Sequence, residues 1–372
     1  MPQPFIALPR RTLLGAGAAA LVLPATVSRA AEAAKLEQVA QFTTPHQVTG
    51  VAVAPDGRVF VNFPRWEEDV AISVAEVGHG GRLTPYPDAG WNSFRAASPA
   101  DPGQRFVCVQ SVTCDPQGNL WVLDPAAPAL TFEVPGGPKL VRIGLQRNQV
   151  ARVYAFDQTV APQGSYLNDI RFTPDGQRAV ITNSGLPGCL IVLDVQSGQA
   201  RRVLDGHPST QFQKDVVITV AGKQLRRSDG EPAKFSADGI AIDGRGEYVY
   251  WQATTGKTMF RAALARLFDA QATPAQQGEA VETFAQSFIA DGYWMSRSGT
   301  LFLTSCSDNS VKRMLPDKSF AVAVKDPRLF WPDSMAEGPD GAIYVTASHI
   351  PEMKAWQGAG VKQSQLFRFK PA

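Results

Sequence analysis

One phrase occurs six times along the chain: a polar residue, a small or acidic one, alternating apolar residues, a turn with glycine, then a second apolar strand. The copies read TGVAVAPDGRVFVNF from Thr49, QSVTCDPQGNLWVLD from Gln110 and NDIRFTPDGQRAVITN from Asn168, then DGIAIDGRGEYVYWQ from Asp238, DGYWMSRSGTLFLTS from Asp291 and DSMAEGPDGAIYVTA from Asp333. In each copy the turn glycine stands eight residues after the opening polar residue, at Gly57, Gly118, Gly176, Gly246, Gly299 and Gly341. Such turns between alternating strands mark β-hairpins, because glycine accepts the positive φ that the turn demands. Hairpins recurring every 42 to 70 residues point to one structural unit stacked on its own neighbours.

More paired strand material lies between the hairpins, as in PKLVRIGL with QVARVYAF, GCLIVLDV with QARRVLDG, and SVKRMLPD with SFAVAVKD. Each repeat therefore supplies about four strands, the content of one propeller blade. The last repeat has two strands after Trp331 and a third in Gln365–Phe369, but lacks a fourth. Leu36–Phe42, by contrast, is a strand without a blade. Joining the two closes a ring and removes two exposed edges. The expectation is an all-β, six-bladed propeller over residues 31–372, closed by an N-terminal strand joining the last blade. Two stacked β-sandwiches would not produce six matching intervals.

Residues 1–30 read as an export signal rather than as part of the fold. Arg10-Arg11 precedes the apolar run GAGAAALVLPA, and Ser28-Arg29-Ala30 offers small residues where a signal peptidase reads. The run is far shorter than the roughly 20 residues that span a bilayer, so no stable membrane insertion is expected. The paired arginines resemble a bacterial twin-arginine signal, although Pro9 and Gly15 replace its usual Ser/Thr and Lys. The partner implied is the export machinery, and the location periplasmic or extracellular. The formal charge of the whole chain is +2, too small a field to hold nucleic acid. Cys108, Cys114, Cys189 and Cys306 make an even number, read either as buried residues or as including one structural bridge.

Equivalent positions of repeats lie at equivalent heights around a propeller axis. The six opening residues, Thr49, Gln110, Asn168, Asp238, Asp291 and Asp333, are all polar and three are carboxylates. They are expected to face the channel at one mouth, each followed by a small or acidic residue: Gly50, Ser111, Asp169, Gly239, Gly292 or Ser334. Crowded carboxylates need a cation, a protonated member or a basic ligand. A divalent ion such as calcium suits Asn and Asp oxygens; channel water held by strand-capping polar groups is the bland alternative. Tyr166, Phe235, Tyr293, Trp294, Phe330 and Trp331 flank the ring, and aromatic faces above carboxylates suit a cationic or aromatic small molecule. Trp294 sits in an alternating strand and reads as core.

The stretches GRVFVNFPRW, SVTCDPQGNLWVLD, SYLNDIRFTPDG, DGIAIDGRGEYVYW and LFWPDSMAEGPDGAIYVTAS resemble the major royal jelly/Yellow protein family in order and spacing. That family is a six-bladed propeller of secreted proteins. Its insect members include dopachrome-converting, tautomerase-type proteins and salivary binders of biogenic amines. The resemblance implies an axial site that binds, and in an enzymatic member tautomerises, a small aromatic or amine compound. Asp238, Asp291 and Asp333 would hold the cation or shuttle protons there. Thr49, Gln110, Asn168 and Asp169 would line the site, with Tyr293 and Trp331 stacking on the ligand. Asn168 and Asp238 also resemble two metal ligands of the gluconolactonase/regucalcin propellers, which implies metal-dependent lactone hydrolysis as an alternative. Thr49 stands where those proteins have a metal-binding Glu. A non-catalytic scaffold propeller is the third alternative. Arg65, after Pro64, is left with two readings: fixing a loop, by stacking on Trp66 or pairing with an acid, or facing a ligand.

Overall fold

The protein is described here from a computed structural model, which covers residues 1–2 and 34–371 apart from 68, 98–100 and 116. The segment expected to direct export lies outside the described residues. Contacts group residues 33–372 into one compact unit.

That unit holds six four-stranded antiparallel sheets. Their innermost strands are Val51–Val53, Ser111–Cys114, Leu167–Phe172, Ala237–Ile242, Tyr293–Met295 and Pro332–Glu337, for blades one to six. Each is followed outward by its hairpin partner and two further strands, as the sixfold phrase requires. All six turn glycines have positive φ, between 69° and 89°.

Alternation along each strand sends side chains to both faces of a blade, so hydrophobic cores form between blades rather than within one. Phe60, Leu120, Val122 and Val141 fill the space between blades one and two. Trp121, Ile170, Ile181 and Ile191 fill that between two and three. Equivalent clusters join three to four, four to five and five to six. A sixth joins blade six to blade one through Tyr344, Leu366, Val51, Val61 and Phe63, so the ring is closed. The clasp is the N-terminal strand Glu37–Thr43, which pairs antiparallel with Gln363–Phe369 as the outer strand of blade six, Glu37 opposite Arg368 and Thr43 opposite Gln363.

The connections at one mouth build a seventh cluster that belongs to no blade. Trp66, Ile218, Val220, Leu225, Trp331, Ile350 and Met353 are buried together there, with Tyr166, Phe235, Phe330 and Trp356 packed against them. A small hairpin, Thr219–Val220 with Lys223–Gln224, and the helical turns Ile350–Glu352 and Lys354–Trp356 supply much of this apolar cap. Gln357 ties the cap segments by donating to the Arg227 carbonyl at 2.7 Å.

All four cysteines are free, with Cys108, Cys189 and Cys306 buried and Cys114 half-buried. Of the two readings of the cysteines, the structure therefore has the buried one, without a bridge.

Candidate functional site

The ring positions acquire their aim from backbone irregularities. Register shifts interrupt the innermost strands of blades three, four and six between Leu167 and Ile170, Ala237 and Ile240, and Pro332 and Met335. A bulge re-aims side chains and leaves backbone donors unpaired. Threonine hydroxyls of the second strands take up such donors: Thr182 accepts from the Asp169 N–H, Thr304 from those of Asp291 and Gly292, and Thr346 from that of Ser334. The glycines after the ring residues permit tight blade approach. A Cβ on Gly239 would stand 2.5 Å from the Asp291 carbonyl, and one on Gly292 would strike that of Asp333.

Asp238, Asp291 and Asp333 are brought together as expected, each only 6–8% exposed. Burial drives their carboxyls toward the neutral form, and mutual repulsion adds to it. Asp291 is raised to about 7 by burial and by the Asp169 charge, against the opposing hydrogen bond from Trp331. Asp238 and Asp333 are held well above the usual carboxylate range by burial first and the Asp291 charge second. The Trp331 indole donates to Asp291 Oδ2 at 2.5 Å. Trp331 reaches this position with φ of 57°, a left-handed conformation costly for a bulky side chain, so the surrounding packing holds it there. Asp333 Oδ2 is buried with no hydrogen-bond partner, as is the Ser111 hydroxyl. The Thr254 hydroxyl faces Asp238 and Asp291 and opposes the rise of both. The Cys306 Sγ, 3.7 Å from the Pro332 carbonyl, is pushed to the thiol form by burial and by the three carboxylates.

Below this socket an arginine crosses the axis. Arg171 of blade three pairs with Asp169 at 2.7 Å and donates to the Tyr293 carbonyl of blade five at 2.7 Å. Its guanidinium lies 5.3 Å from the Trp294 ring centroid. The socket thus has a cationic floor, acidic walls and an apolar cap.

The remaining expected residues divide. Thr49 is a stitch: its hydroxyl donates to the Gln110 carbonyl at 3.0 Å and accepts from Asn62 at 2.8 Å, while its own carbonyl accepts from Thr346. Tyr293 packs in the core between blades four and five, its hydroxyl donating to Gln252 Oε1 at 2.8 Å, rather than over the acids. The cause is strand parity, which turns Tyr293 toward blade four and Trp294 toward the cores that blade six shares with its neighbours. Gln110 and Asn168 belong to a hydrogen-bonded row. The Trp66 indole donates to Tyr166 Oη at 2.6 Å, Tyr166 to Gln110 Oε1 at 2.9 Å, Gln110 to Asn168 Oδ1 at 3.2 Å, and Asn168 Nδ2 to Asp238 Oδ2 at 2.8 Å.

Arg65 is a clamp. It is buried, pairs with Asp69 at 2.8 Å, and spends its other donors on Ser73 and the carbonyls of Val70, Phe94, Phe106 and Val107. Pro64-Arg65-Trp66 therefore ends its strand by locking a loop with one side chain and starting the row to Asp238 with the next.

Sequence reasoning missed Arg171, Thr254 and the supporting threonines. The threonines had a signal, since Ile-Thr-Asn, Leu-Thr-Ser and Val-Thr-Ala recur at the ends of second strands. A surface cavity of about 380 Å³ is lined by residues such as Gln117, Asn119 and Arg147 and contains no ring residue.

The gluconolactonase-like expectation of a metal on Asn168 and Asp238 does not fit this donor set. Asn168 turns its amide N–H, not its carbonyl oxygen, toward Asp238, and its oxygen is occupied by Gln110. Among the described residues, no group of three or more His, Cys, Asp or Glu side chains is arranged to hold an ion.

A closed ring of six four-stranded blades defines the class: a β-propeller. The model of the major royal jelly protein family matches residues 107–355, two thirds of the chain, and the chain belongs to that family. No curated protein matches the sequence significantly. Solved structures with similar folds include a gluconolactonase from Xanthomonas campestris (13% identity, 91% of this chain and 90% of that one, TM-score 0.55). Others are the calcium-binding protein regucalcin from Agrobacterium tumefaciens (13%, 91% and 96%, 0.55) and a streptogramin B lyase (11%, 91% and 98%, 0.52). At such identities the likeness is one of fold.

Proposed function

We propose that the axial socket binds a small organic cation, an amine or an aromatic amine, and that Asp291 exchanges a proton with the bound compound. The observation that carries this reading is a surplus of buried acid. Asp238, Asp291 and Asp333 share one space with Asp169 beside them, while the guanidinium that pairs with Asp169, that of Arg171, is committed to it and to the Tyr293 carbonyl. An ammonium group would neutralise this surplus and bring N–H donors to acceptors such as Asp333 Oδ2. Trp331, with Phe330 beside it in the cap, offers apolar surface for the rest of the ligand. A carboxyl that titrates near 7 serves as acid and base alike at neutral pH. Tautomerisation requires no more of it: a proton leaves one carbon of the bound ring and another returns to a different atom, with no oxidant. The family's dopachrome-converting and amine-binding members agree with this assignment.

Calorimetric titration of tyramine, dopamine and catechol into chelator-stripped protein tests it. One saturable site is expected, weakened about tenfold or more by Asp333→Asn, the size of one lost charge-assisted hydrogen bond. Absence of binding by every compound overturns the proposal. Calcium binding abolished by Asp238→Ala would instead favour metal-dependent lactone hydrolysis, and binding of neither class a scaffold role. Export by the twin-arginine route, to the periplasm or beyond, is proposed from Arg10-Arg11; cell fractionation of the Arg10→Lys, Arg11→Lys double variant should find the chain retained in the cytoplasm.

A further inference from the structure

The row of hydrogen bonds that ends on Asp238 has a direction, and its first member sets it. An indole N–H can only donate, so the Tyr166 hydroxyl oxygen accepts from Trp66 and its own hydrogen is free for Gln110. Gln110 must then present Oε1 to Tyr166 and Nε2 to Asn168. Asn168 in turn presents Oδ1 to Gln110 and Nδ2 to Asp238, with Nδ2 also donating to Ser184 Oγ at 3.0 Å. The orientation of both amides follows from a residue two hydrogen bonds from Gln110 and three from Asn168, in a different blade connection.

We propose that Trp66, acting through Tyr166 and Gln110, holds Asn168 as a hydrogen donor toward Asp238 and thereby makes the socket select N–H cations over divalent metal ions. The proposal rests on the reading above that the socket takes a cation, and it names what decides which cation. A hard divalent ion needs oxygen ligands. Beside Asp238 it would meet the positive end of the Asn168 amide instead. An ammonium ion is not so excluded, because it uses the acceptors that remain, above all Asp333 Oδ2. Trp66, Tyr166 and Gln110 are positioning residues here, since they act on the site only through Asn168.

The test frees the amides step by step. Tyr166→Phe removes the hydroxyl that orients Gln110, so both amides can turn over and place Asn168 Oδ1 against Asp238, with Ser184 then donating to it. Gln110→Glu imposes that inverted order, because a carboxylate accepts from both neighbours. Gln110→Met frees Asn168 without adding charge, and Trp66→Phe is the mildest change, keeping an aromatic ring in the cap. Each full-length variant is stripped with chelator and titrated calorimetrically with calcium, manganese(II) and tyramine, its fold checked by thermal melting. The wild type should bind neither metal at millimolar concentration. Metal affinity should rise through Trp66→Phe and Tyr166→Phe to Gln110→Glu, by roughly tenfold for each orienting bond removed. A gain in Gln110→Glu with none in Tyr166→Phe or Gln110→Met overturns the proposal, since the added charge would then explain it. Tyramine binding by the wild type with no metal gain in any variant overturns it too, and leaves the amine reading standing. Metal binding by the wild type that Asp238→Asn removes overturns both. A metal gain in Tyr166→Phe without tyramine binding in the wild type supports the exclusion of metal ions by the Asn168 amide, but overturns the selection of N–H cations together with the amine reading.

Discussion

The molecule buries acid in two places and treats it in opposite ways. At the end of the second strand of blade two, Asp124 is completely buried and saturated. It accepts from the backbone N–H groups of Val107, Cys108 and Ala126 at 2.7 to 2.9 Å and from Lys139 Nζ at 2.8 Å. Lys139, itself buried, spends a further donor on the Gly137 carbonyl. On the axis, Asp238, Asp291 and Asp333 share a space in which one carboxylate oxygen, Oδ2 of Asp333, has no partner. A buried charge whose lone pairs are filled by its own chain holds loops in place; one left open is poised for something from outside.

The contrast is broken most severely at the saturated end. Asp124→Ala strands the Lys139 ammonium and three backbone donors, and should cost about 3–5 kcal/mol of stability by denaturant unfolding. Asp333→Asn, at the open end, should leave stability unchanged or raise it, because it removes a buried acid whose ionisation burial and its neighbours oppose.

A pH profile of thermal stability sharpens the difference. The raised carboxyl of Asp291 makes the folded state hold a proton that the unfolded chain releases above about pH 4. Stability should therefore fall as pH rises from about 4 to 7, by about 1.4 kcal/mol per pH unit for each proton so retained, and level off above 7. Asp238 and Asp333 shift in the same direction and extend the slope. Asp291→Asn should flatten it; an unchanged slope in that variant would place the proton elsewhere. The smallest effect is that of Trp331→Phe, which keeps the ring but removes the donor to Asp291. Its loss, worth about 1 kcal/mol, should move the Asp291 titration upward by somewhat less than one pH unit, readable by carboxyl-carbon NMR.

Much of the architecture was legible because a propeller repeats its chemistry at a fixed height. The eight-residue interval from Thr49 to Gly57 and its five copies located the blades, and the bladeless strand near Leu36 located the clasp. The same logic brought Asp238, Asp291 and Asp333 to one mouth. Azimuth was not legible. Repeat register says how far along the axis a residue lies but not which way its side chain leaves the strand, so Tyr293 was expected at the site and belongs to a blade interface. Relations between unrelated repeats were equally hidden, as in Arg171 reaching from blade three to blade five, or the amide order imposed by Trp66. Nothing local in either sequence segment encodes the other end of such a contact.

The clasp between Glu37–Thr43 and Gln363–Phe369 has a consequence for how the molecule comes into being. Its two strands lie some 320 residues apart in the sequence, Thr43 opposite Gln363, so on the ribosome the earlier strand waits for the later one. Blades one to five can acquire their hairpins from local pairing as they emerge, but the sixth core, and with it the circular arrangement of the carboxylates, is completed only when the final strand arrives. A nascent chain halted before Phe369 leaves a seven-residue strand without its mate and a blade without its third strand, open to chaperones and proteases. Closure thus doubles as a proofreading step, in which the acidic socket assembles only on molecules that have been synthesised through to that strand.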